Sequence, residues 1–412
     1  MKFLAVTDAQ RIVLETAQRL GSERVRLEQS IGRVLAADIV ANRDLPPYAV
    51  SAMDGFALRS ADVVQIPATL EIIEDIKAGD LPQHTLQAGQ CARIMTGAPL
   101  PAGADAVLRM EDTKELSAVS VEIRESVKAG HDVRPRGENM TVGQVVLTTG
   151  TEITPGVIGI LATVKAAEVE VFCRPRVAIL STGNELEGMD EPVDVNRIPE
   201  SNSYALMGQM QMLGLAPALL GIARDDEVET ERCLTRGLAY DVLLVSGGSS
   251  VGVHDLVRPA LEKLGVEMKF WRVAMKPGHP LAFGAKGRTL VFGLPGNPVS
   301  SMVCVEEFVV PALRQMMGNR QLFRRTVSAR LGRAIKHKPG RTEFVRVQLQ
   351  REGADCVVND TGNQSSGVLL SMAQAEGLLV VPAESAGLAA GGAVSVQLLD
   401  GSMFQNEAGL GE

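Results

Sequence analysis

Three glycine- and proline-rich turns between residues 242 and 300 constrain this chain more than any other feature. Each turn, within 242–252, 275–280 and 291–298, closes an apolar run of the kind that forms a buried strand. In open sheets of alternating strands and helices, ligands bind outside the carboxyl ends of the strands. Glycine and serine leave backbone N–H groups uncovered there, and a following helix adds partial positive charge. The turns therefore predict an anion-binding site, with a phosphate ester as the favoured ligand.

Around these turns, runs of strand type and helix type alternate from residue 176 onward. The pattern predicts strands at 177–180, 217–222, 242–245 and 290–292, and helices at 202–213, 227–238, 256–264 and 299–317. Such alternation indicates a parallel sheet with helices on both faces. We assign this three-layer α/β domain to residues 176–324.

The flanking segments have a different pattern. Helices are predicted at 8–20, with Asp8 as a possible cap, and at 158–164. Short alternating runs between glycines and prolines predict strands at 72–76, 91–95, 106–110, 119–123, 168–172, 327–331, 344–350, 378–381 and 394–399. We expect a β insertion domain at 46–137 and a C-terminal β domain at 325–412.

Composition excludes several classes of function. A net charge of −8 and an aromatic content of 3% argue against a nucleic-acid or anionic-membrane surface. The five cysteines are scattered without CxxC pairs, which is typical of reduced thiols in the cytoplasm. No apolar run reaches membrane-spanning length, and Asp8 interrupts any signal-peptide core. We therefore predict a soluble, cytoplasmic protein.

Polar residues follow several of the predicted strands. The turn residues Ser246, Gly247, Gly248, Ser249 and Ser250 offer an anion cradle, although a Gly-Gly pair is more often only a tight turn. Asn297 before Pro298 makes a good helix start with no function required. Lys276 at a strand end would meet a phosphate, or would be a surface charge.

Carboxylates follow the same strands. Glu185 comes after the first predicted strand, where it would bind Mg²⁺ or a ligand hydroxyl. Asp225 and Asp226 follow the second, and Asp255 precedes a helix; each has an ordinary reading as a helix cap. Asp54 lies in a turn of small residues within the β insertion. So many polar turns at strand ends, in two segments of different architecture, are jointly explained by one cleft.

The blocks that carry these residues occur together in one known family. They are 51–55 (SAMDG), 93–99 (RIMTGAP), 136–138 (RGE), 181–186 (STGNEL), 246–248 (SGG), 251–252 (VG), 276–278 (KPG), 294–300 (LPGNPVS), 361–364 (TGNQ) and 366–372 (SGVLLSM). In this order they resemble the molybdopterin molybdenumtransferase family, the MoeA-type enzymes and the C-terminal domain of gephyrin. The resemblance runs from the N-terminal helix to Gly387 or beyond.

The resemblance implies a fold and an activity. It implies four domains: the α/β domain as the molybdopterin-binding domain, the β insertion, the C-terminal β domain, and an elongated, discontinuous linker domain of residues 1–45 and 138–175. It further implies a homodimer, whose cleft lies between the α/β domain of one subunit and the β insertion of the other. The implied reaction takes adenylylated molybdopterin and molybdate to molybdenum cofactor and AMP, with Mg²⁺ assisting. Implied partners are a molybdopterin adenylyltransferase and proteins that mature molybdoenzymes.

The family's site residues map onto this chain as follows. The resemblance implies that the catalytic residues are Asp54, Thr96, Glu185, Asp225, Asp255 and Lys276. Substrate binding would fall to Ser246, Gly247, Gly248, Ser249, Ser250, Pro295, Gly296, Asn297, Arg341 and Arg346, and Mg²⁺ to Glu185, Asp225 and Asp226. Two positions depart from the family: His279 stands where some members have lysine, and Asn139 where many have aspartate.

Two alternative functions stay open. An adenylyltransferase acting on molybdopterin would be about as long as the α/β segment and would lack the block at 51–55. A non-catalytic molybdopterin-binding scaffold is the alternative from another class, as gephyrin illustrates for this family. It is less favoured, because Asp54, Glu185, Asp225 and Asp255 are all present.

Overall fold

The computed structural model describes residues 3–247, 256–353 and 355–399. The chain divides into two compact units. Unit 1 comprises the chain up to Ala36, Gly150–Thr154 and the chain from Glu168 onward. Unit 2 comprises Ala37–Thr149 and Pro155–Ala167. The boundaries of the four sequence-based domains stay predictions.

Up to residue 172 the chain forms mainly short strands. The elements are α1 (Val6–Thr16), β1 (Ser22–Arg26), β2 (Ile39–Val40), β3 (Val50–Ser51), β4 (Gly55–Leu58), β5 (Ala68–Ile76), β6 (Gln90–Ile94), β7 (Ala106–Arg109), β8 (Thr113–Ser117), β9 (Ser120–Ile123), β10 (Val133–Arg134), β11 (Val145–Leu147), α2 (Pro155–Thr163) and β12 (Glu168–Phe172). The predicted strands in this region are confirmed. The capping role predicted for Asp8 is wrong, because α1 begins two residues earlier at Val6, whose side chain is buried, and Ala5 is its N-cap.

Unit 2 is built around a six-stranded sheet in the order β7-β4-β6-β5-β9-β8. All neighbouring strands are antiparallel except β5 and β6, which are parallel. Apolar side chains on both faces are buried, Phe56 and Leu108 on one and Ala57 and Ile94 on the other. The sheet confirms the all-β reading of this segment.

Strands and helices alternate in the next segment, which belongs to unit 1. The elements are β13 (Val177–Thr182), β14 (Leu186–Glu187), β15 (Ile198–Pro199), α3 (Asn202–Met212), β16 (Ala218–Ala223), α4 (Glu227–Gly237), β17 (Val242–Ser246), α5 (Val257–Lys263), β18 (Glu267–Phe270), β19 (Met275–Lys276), β20 (Ala282–Lys286), β21 (Thr289–Leu294), α6 (Pro298–Cys304), a π-helical turn (Val305–Val309) and α7 (Val310–Met316). Their sheet has the strand order β16-β13-β17-β21-β20-β18.

The four strands predicted in this sheet are parallel as expected, but the sheet has two further strands, β18 and β20. Of these, β20 is antiparallel to both β21 and β18. The reason is a tight hairpin between β20 and β21, in which Gly287 has a φ of 59°. The predicted layers are confirmed: α3 and α6 pack on one face of the sheet, and α4 and α5 on the other.

The helix predicted over 299–317 is interrupted by the π-helical turn. Pro311 has no N–H to donate to the carbonyl of Glu307, four residues earlier. Instead, Gln10 Nε2 on α1 donates to that carbonyl oxygen at 3.1 Å. The missing backbone bond in the helix is thus replaced by a tertiary one, which ties α1 to the α/β sheet.

The Glu307 side chain on this turn is buried, with only 4% of the residue exposed. Burial raises its pKa to about 8, despite hydrogen bonds from Gln397 and Gln10 to the carboxyl group. The neighbouring Glu306 raises that pKa further, whereas Arg324, which pairs with Glu306, lowers it. At neutral pH the folded protein therefore holds a proton on Glu307 that the unfolded chain has released.

We expect Glu307→Gln to remove a pH-dependent loss of stability. Between the ordinary carboxyl pKa of 4.5 and the folded value of about 8, only the folded state binds this proton. The free energy of unfolding therefore falls as pH rises through this window, by at most about 1.4 kcal/mol per pH unit. Urea denaturation of wild type and variant at several pH values between 5 and 9 measures the difference. Parallel curves for the two proteins would contradict the assignment.

The remainder of unit 1 is a β barrel. Its elements are β22 (Thr326–Leu331), β23 (Ile335–Lys336), β24 (Thr342–Glu352), β25 (Asp355–Asp360), α8 (Leu369–Ala373), β26 (Gly377–Val381), β27 (Gly387–Leu388) and β28 (Ala393–Leu398). The order β24-β25-β22-β28-β26 closes because β26 pairs back with β24. The short strand β19 joins the free side of β24, so the turn after β19 lies beside the barrel.

Candidate active site

A cavity of about 990 Å³ lies in unit 1 at the carboxyl ends of the parallel strands. The turns after β13, β16, β17 and β21 all contribute to its wall. The turn after β19 and a segment of the barrel, 364–366, complete the lining. The three turns singled out in the sequence therefore meet at one edge of the sheet.

Two carboxylates line the cavity. Glu185 follows β13, and its carboxylate lies over Gly183, whose φ is 140° and where an added Cβ would stand 2.4 Å from Oε2. Asp225 follows β16, and reciprocal hydrogen bonds with Asn184 join the two turns: Asn184 N donates to Asp225 Oδ2 at 3.3 Å, and Asp225 N to Asn184 Oδ1 at 3.1 Å. Adjacent parallel strands thus present both acids to the same space.

The turn after β17 depends on the absence of a side chain at Gly247. This residue has a φ of 91°, and an added Cβ would stand 2.8 Å from both the carbonyl oxygen and Oγ1 of Thr182. Its N–H donates to the carbonyl of Leu294 at 3.1 Å. The turns after β13, β17 and β21 are therefore packed backbone against backbone.

Lys276 lines the cavity and pairs with a carboxylate of the barrel. Its Nζ is 2.7 Å from Glu343 Oε1, and the two residues are directly opposite in the β19–β24 register. The Lys276 side chain is 53% exposed, whereas that of Glu343 is 9% exposed. An anion in the cavity would thus meet an ammonium group whose charge Glu343 already partly balances.

His279 and Arg341 also line the cavity. Partial burial lowers the pKa of the His279 imidazole, and the positive charges of Arg341 and Arg272 lower it further. At neutral pH this ring is therefore neutral, unlike the lysine of some family members. Its ring meets Phe3 edge to face, with centroids 4.8 Å apart.

The helix start at Asn297 is confirmed, with Pro298 in the first turn of α6. The Asn297 side chain makes no capping bond; its Nδ2 donates to Ser366 Oγ at 2.9 Å. Pro295, Gly296 and Asn297 all line the cavity. This turn therefore faces the barrel segment 364–366 across the site.

Three predicted residues of unit 1 do not line the cavity. Arg346 is only 1% exposed, and its Nη2 donates to the carbonyl of Ser365, so it supports the lining segment 364–366 from behind. Asp226 is the N-cap of α4, with Oδ1 accepting from Glu229 N at 2.8 Å, which is its ordinary reading. Ser246 is buried beneath the turn. The predicted residues Gly248, Ser249, Ser250 and Asp255 lie outside the described residues.

Asp54 and Thr96 come together in unit 2. Asp54 precedes β4 and Thr96 follows β6, and Asp54 Oδ1 accepts from both the N–H and the Oγ1 hydroxyl of Thr96 at 2.7 Å. The backbone bond, then the hydroxyl bond, lowers the pKa of Asp54. The carboxylate is exposed and ionised at neutral pH.

Over residues 3–247, 256–353 and 355–399, no group of three His, Cys, Asp or Glu side chains is arranged to hold a metal ion. Mg²⁺ usually takes only one or two protein carboxylates and completes its shell with water and substrate phosphates. Glu185 and Asp225 on the cavity wall fit that pattern, so a substrate-assisted site is compatible with these residues.

Sequence reasoning missed several lining residues. Thr182 and Gly183 lie in the block 181–186, from which only Glu185 is predicted as a site residue. Gln364 ends the block 361–364, Ser366 begins the block 366–372, and Ser365 lies between these two blocks. A glycine next to Thr182 and to Ser366 was the available signal, and Gln364 and Ser365 had none.

Comparisons with known proteins agree with this architecture. Residues 4–164 match the model described as "MoeA N-terminal region (domain I and II)", 178–315 match "Probable molybdopterin binding domain", and 328–399 match "MoeA C-terminal region (domain IV)". Molybdopterin molybdenumtransferase 2 of Mycobacterium tuberculosis strain H37Rv is 36% identical over 399 residues, covering 94% of this chain and 97% of that protein. The chain belongs to the molybdopterin molybdenumtransferase family.

Further members of this enzyme family match along most of their length. The molybdopterin molybdenumtransferase of Nostoc sp. PCC 7120 is 34% identical, covering 92% of this chain and 90% of that protein. The crystal structure of the moeA protein of Pyrococcus horikoshii OT3 superposes with a TM-score of 0.84 at 29% identity, covering 97% and 100%. The chain therefore has the MoeA-like multidomain fold of an enzyme family in molybdenum cofactor biosynthesis. No helix in the described parts is long and apolar enough to cross a membrane.

Proposed function

We propose that this enzyme inserts molybdate into adenylylated molybdopterin and releases AMP. One observation carries the proposal: a single cavity combines the carboxylates of Glu185 and Asp225 with the cations Lys276 and Arg341 and with glycine turns at parallel strand ends. Glycine turns at this edge suit a phosphate, and the cations suit a second anion. The family membership supports the same reaction.

The charges of the reactants explain what the residues must do. Molybdate is a dianion, and it meets a pyrophosphate that is already negative, so repulsion opposes the encounter. Lys276 and Arg341 would bind and orient the anionic groups, and the turn at Gly247 would fix a phosphate. Positioning and charge neutralisation suffice, and no covalent nucleophile is required.

Magnesium belongs to the proposal as an assisting ion. Glu185 and Asp225 would hold it together with substrate phosphates, and it would supply neutralisation of negative charge on the pyrophosphate. Asp226 is less suited, because its carboxylate caps α4.

The test is AMP release by the purified protein from adenylylated molybdopterin with Mg²⁺, with and without micromolar molybdate. Molybdate-dependent release supports the proposal. Tight binding without release would indicate a molybdopterin-binding scaffold. Formation of adenylylated molybdopterin from ATP and molybdopterin would indicate the adenylyltransferase instead.

Lys276→Ala is expected to raise the KM for adenylylated molybdopterin about tenfold, because a charged ligand of the phosphate is lost. Part of this effect would come from Glu343, whose carboxylate then faces the substrate uncompensated. The double variant Lys276→Ala/Glu343→Gln removes that repulsion and should recover part of the affinity. Steady-state kinetics of wild type, Lys276→Ala and the double variant measures these changes in KM. An unchanged KM in Lys276→Ala would mean that the lysine is only a surface charge.

We further propose a cytoplasmic homodimer in which Asp54 and Thr96 serve the same reaction as the cavity residues. Family membership supports the dimer, and the scattered cysteines support a reducing compartment. Light scattering of the purified protein measures the oligomeric state, and a monomer at working concentration would refute this part. Exchange of substrate and product with an adenylyltransferase and with molybdoenzyme-maturation proteins belongs to the same proposal.

A further inference from the structure

The side chain of Asn202 joins two turns of the cavity wall. Its Nδ2 donates to Ser246 Oγ at 2.7 Å and to the carbonyl oxygen of Gly296 at 2.8 Å. Ser246 directly precedes Gly247, which lines the cavity, and Gly296 lines it as well. One amide group thus sets the spacing between the turn after β17 and the turn after β21.

The backbone of Asn202 is itself firmly held. Asn202 is the first residue of α3, and the buried carboxylate of Glu200 accepts from Ser203 N at 2.8 Å and from Ser181 Oγ at 2.8 Å. Further along the helix, Leu206 and Met210 are completely buried in the core of unit 1. Asn202 therefore projects from a rigid support on the sheet, as a group that positions others must.

The chemistry at this position requires an amide. A carbonyl oxygen only accepts hydrogen bonds, so the group facing Gly296 must be a donor. Both hydrogens of the Asn202 amide are used, one on each turn. Aspartate has the same shape, but it would place an oxygen against the carbonyl oxygen and add a negative charge beside an anion site.

We propose that Asn202 is a positioning residue for the phosphate-bearing substrate. By holding the turns at Gly247 and Gly296 at a fixed spacing, it preorganises the backbone that receives the adenylylated end. This inference rests on the proposed function, since it takes the cavity as the site of adenylylated molybdopterin. The residue acts through the two turns and does not line the cavity.

The experiment compares Asn202→Ala and the isosteric Asn202→Asp with wild type. It measures the KM and kcat of molybdate-dependent AMP release, the Kd for AMP by titration calorimetry, and the melting temperature. We expect Asn202→Ala to raise both KM and Kd about 10-fold or more through the loss of two hydrogen bonds. Asn202→Asp should raise them further. A residue that only supports folding would lower the melting temperature and the active fraction and leave KM and Kd unchanged.

Two further variants sharpen the result. Gln211→Ala replaces an exposed amide on the same helix and should behave as wild type. Ser246→Ala removes one acceptor of the Asn202 amide. The double variant Asn202→Ala/Ser246→Ala should therefore raise the Kd by less than the product of the two single increases. Values of KM and Kd within twofold of wild type in folded Asn202→Ala and Asn202→Asp would overturn the inference.

The outcomes also separate this inference from the proposed function. Wild type that binds AMP but releases none from adenylylated molybdopterin would refute the transferase reaction. In that case the effect of the Asn202 substitutions on the Kd for AMP could still be measured. Wild type that does not bind AMP would overturn both.

Discussion

Replacing Asp54 with asparagine is expected to lower molybdate-dependent AMP release by about 100-fold or more, the loss typical of removing one preorganised electrostatic group. Asparagine keeps the oxygen that accepts from Thr96 N and Oγ1, so the turn should keep its shape. Only the charge is lost, and the low pKa of Asp54 means that this charge is present throughout the neutral range. Release rates at saturating substrate, together with the melting temperature, measure the effect.

Asp80→Asn is the matched control, because it removes an exposed carboxylate from the same unit. It should release AMP at the wild-type rate. Full activity in Asp54→Asn would remove Asp54 from the reaction, whereas a large drop in its melting temperature would point to a structural role.

Mixing two inactive variants tests whether residues of different subunits serve one reaction. Asp54→Asn and Glu185→Gln are each expected to be inactive alone. If a homodimer brings these residues of different subunits to the same reaction, subunit exchange should restore part of the wild-type activity. The reason is that some heterodimers then combine an intact Asp54 of one subunit with an intact Glu185 of the other. Activity that stays absent after verified exchange would contradict the intersubunit arrangement.

Sequence patterns predicted the lining of the cavity better than the residues that support it. The turns at Glu185, Gly247 and Asn297 were predictable because several polar, glycine- or proline-rich turns follow apolar strands in one segment, although each turn alone has an ordinary reading. Their convergence followed from parallel strands, whose carboxyl ends share one edge. The family resemblance named Asp54 and Thr96 separately as site residues, and the structure brings them within hydrogen-bond distance.

The sequence-based predictions that failed depend on tertiary contacts, which local sequence patterns do not encode. Arg346 was assigned to substrate binding by the family resemblance, yet the barrel buries it and its guanidinium donates to the carbonyl of Ser365. Asn202 was missed because its partners, Ser246 and Gly296, are 44 and 94 residues away. The antiparallel strand β20 was missed because a hairpin can replace a helical crossover without changing the apolar pattern.

A methyl group at Gly247 is expected to displace the turn that we propose binds the phosphate. In Gly247→Ala the Cβ would stand 2.8 Å from the carbonyl oxygen of Thr182, which belongs to the backbone and cannot rotate away. The φ of 91° is also unfavourable for alanine, at a cost of about 1–3 kcal/mol. The turn must therefore shift, and its N–H would leave Leu294. We expect loss of AMP binding by calorimetry and at least about a 100-fold drop in AMP release.

Gly221→Ala is the control that separates backbone strain from the steric clash of the added Cβ. Gly221 has a φ of 88°, almost that of Gly247, but an added Cβ there would meet no atom within 4 Å. Both variants should lose stability in urea from the backbone conformation, Gly247→Ala more because of the clash with Thr182, but only Gly247→Ala should lose AMP binding. Equal AMP affinity in the two variants would mean that the Gly247 turn does not contact the phosphate. Loss in Gly247→Ala alone would assign the phosphate to this turn, because strain is matched and only the displaced backbone differs.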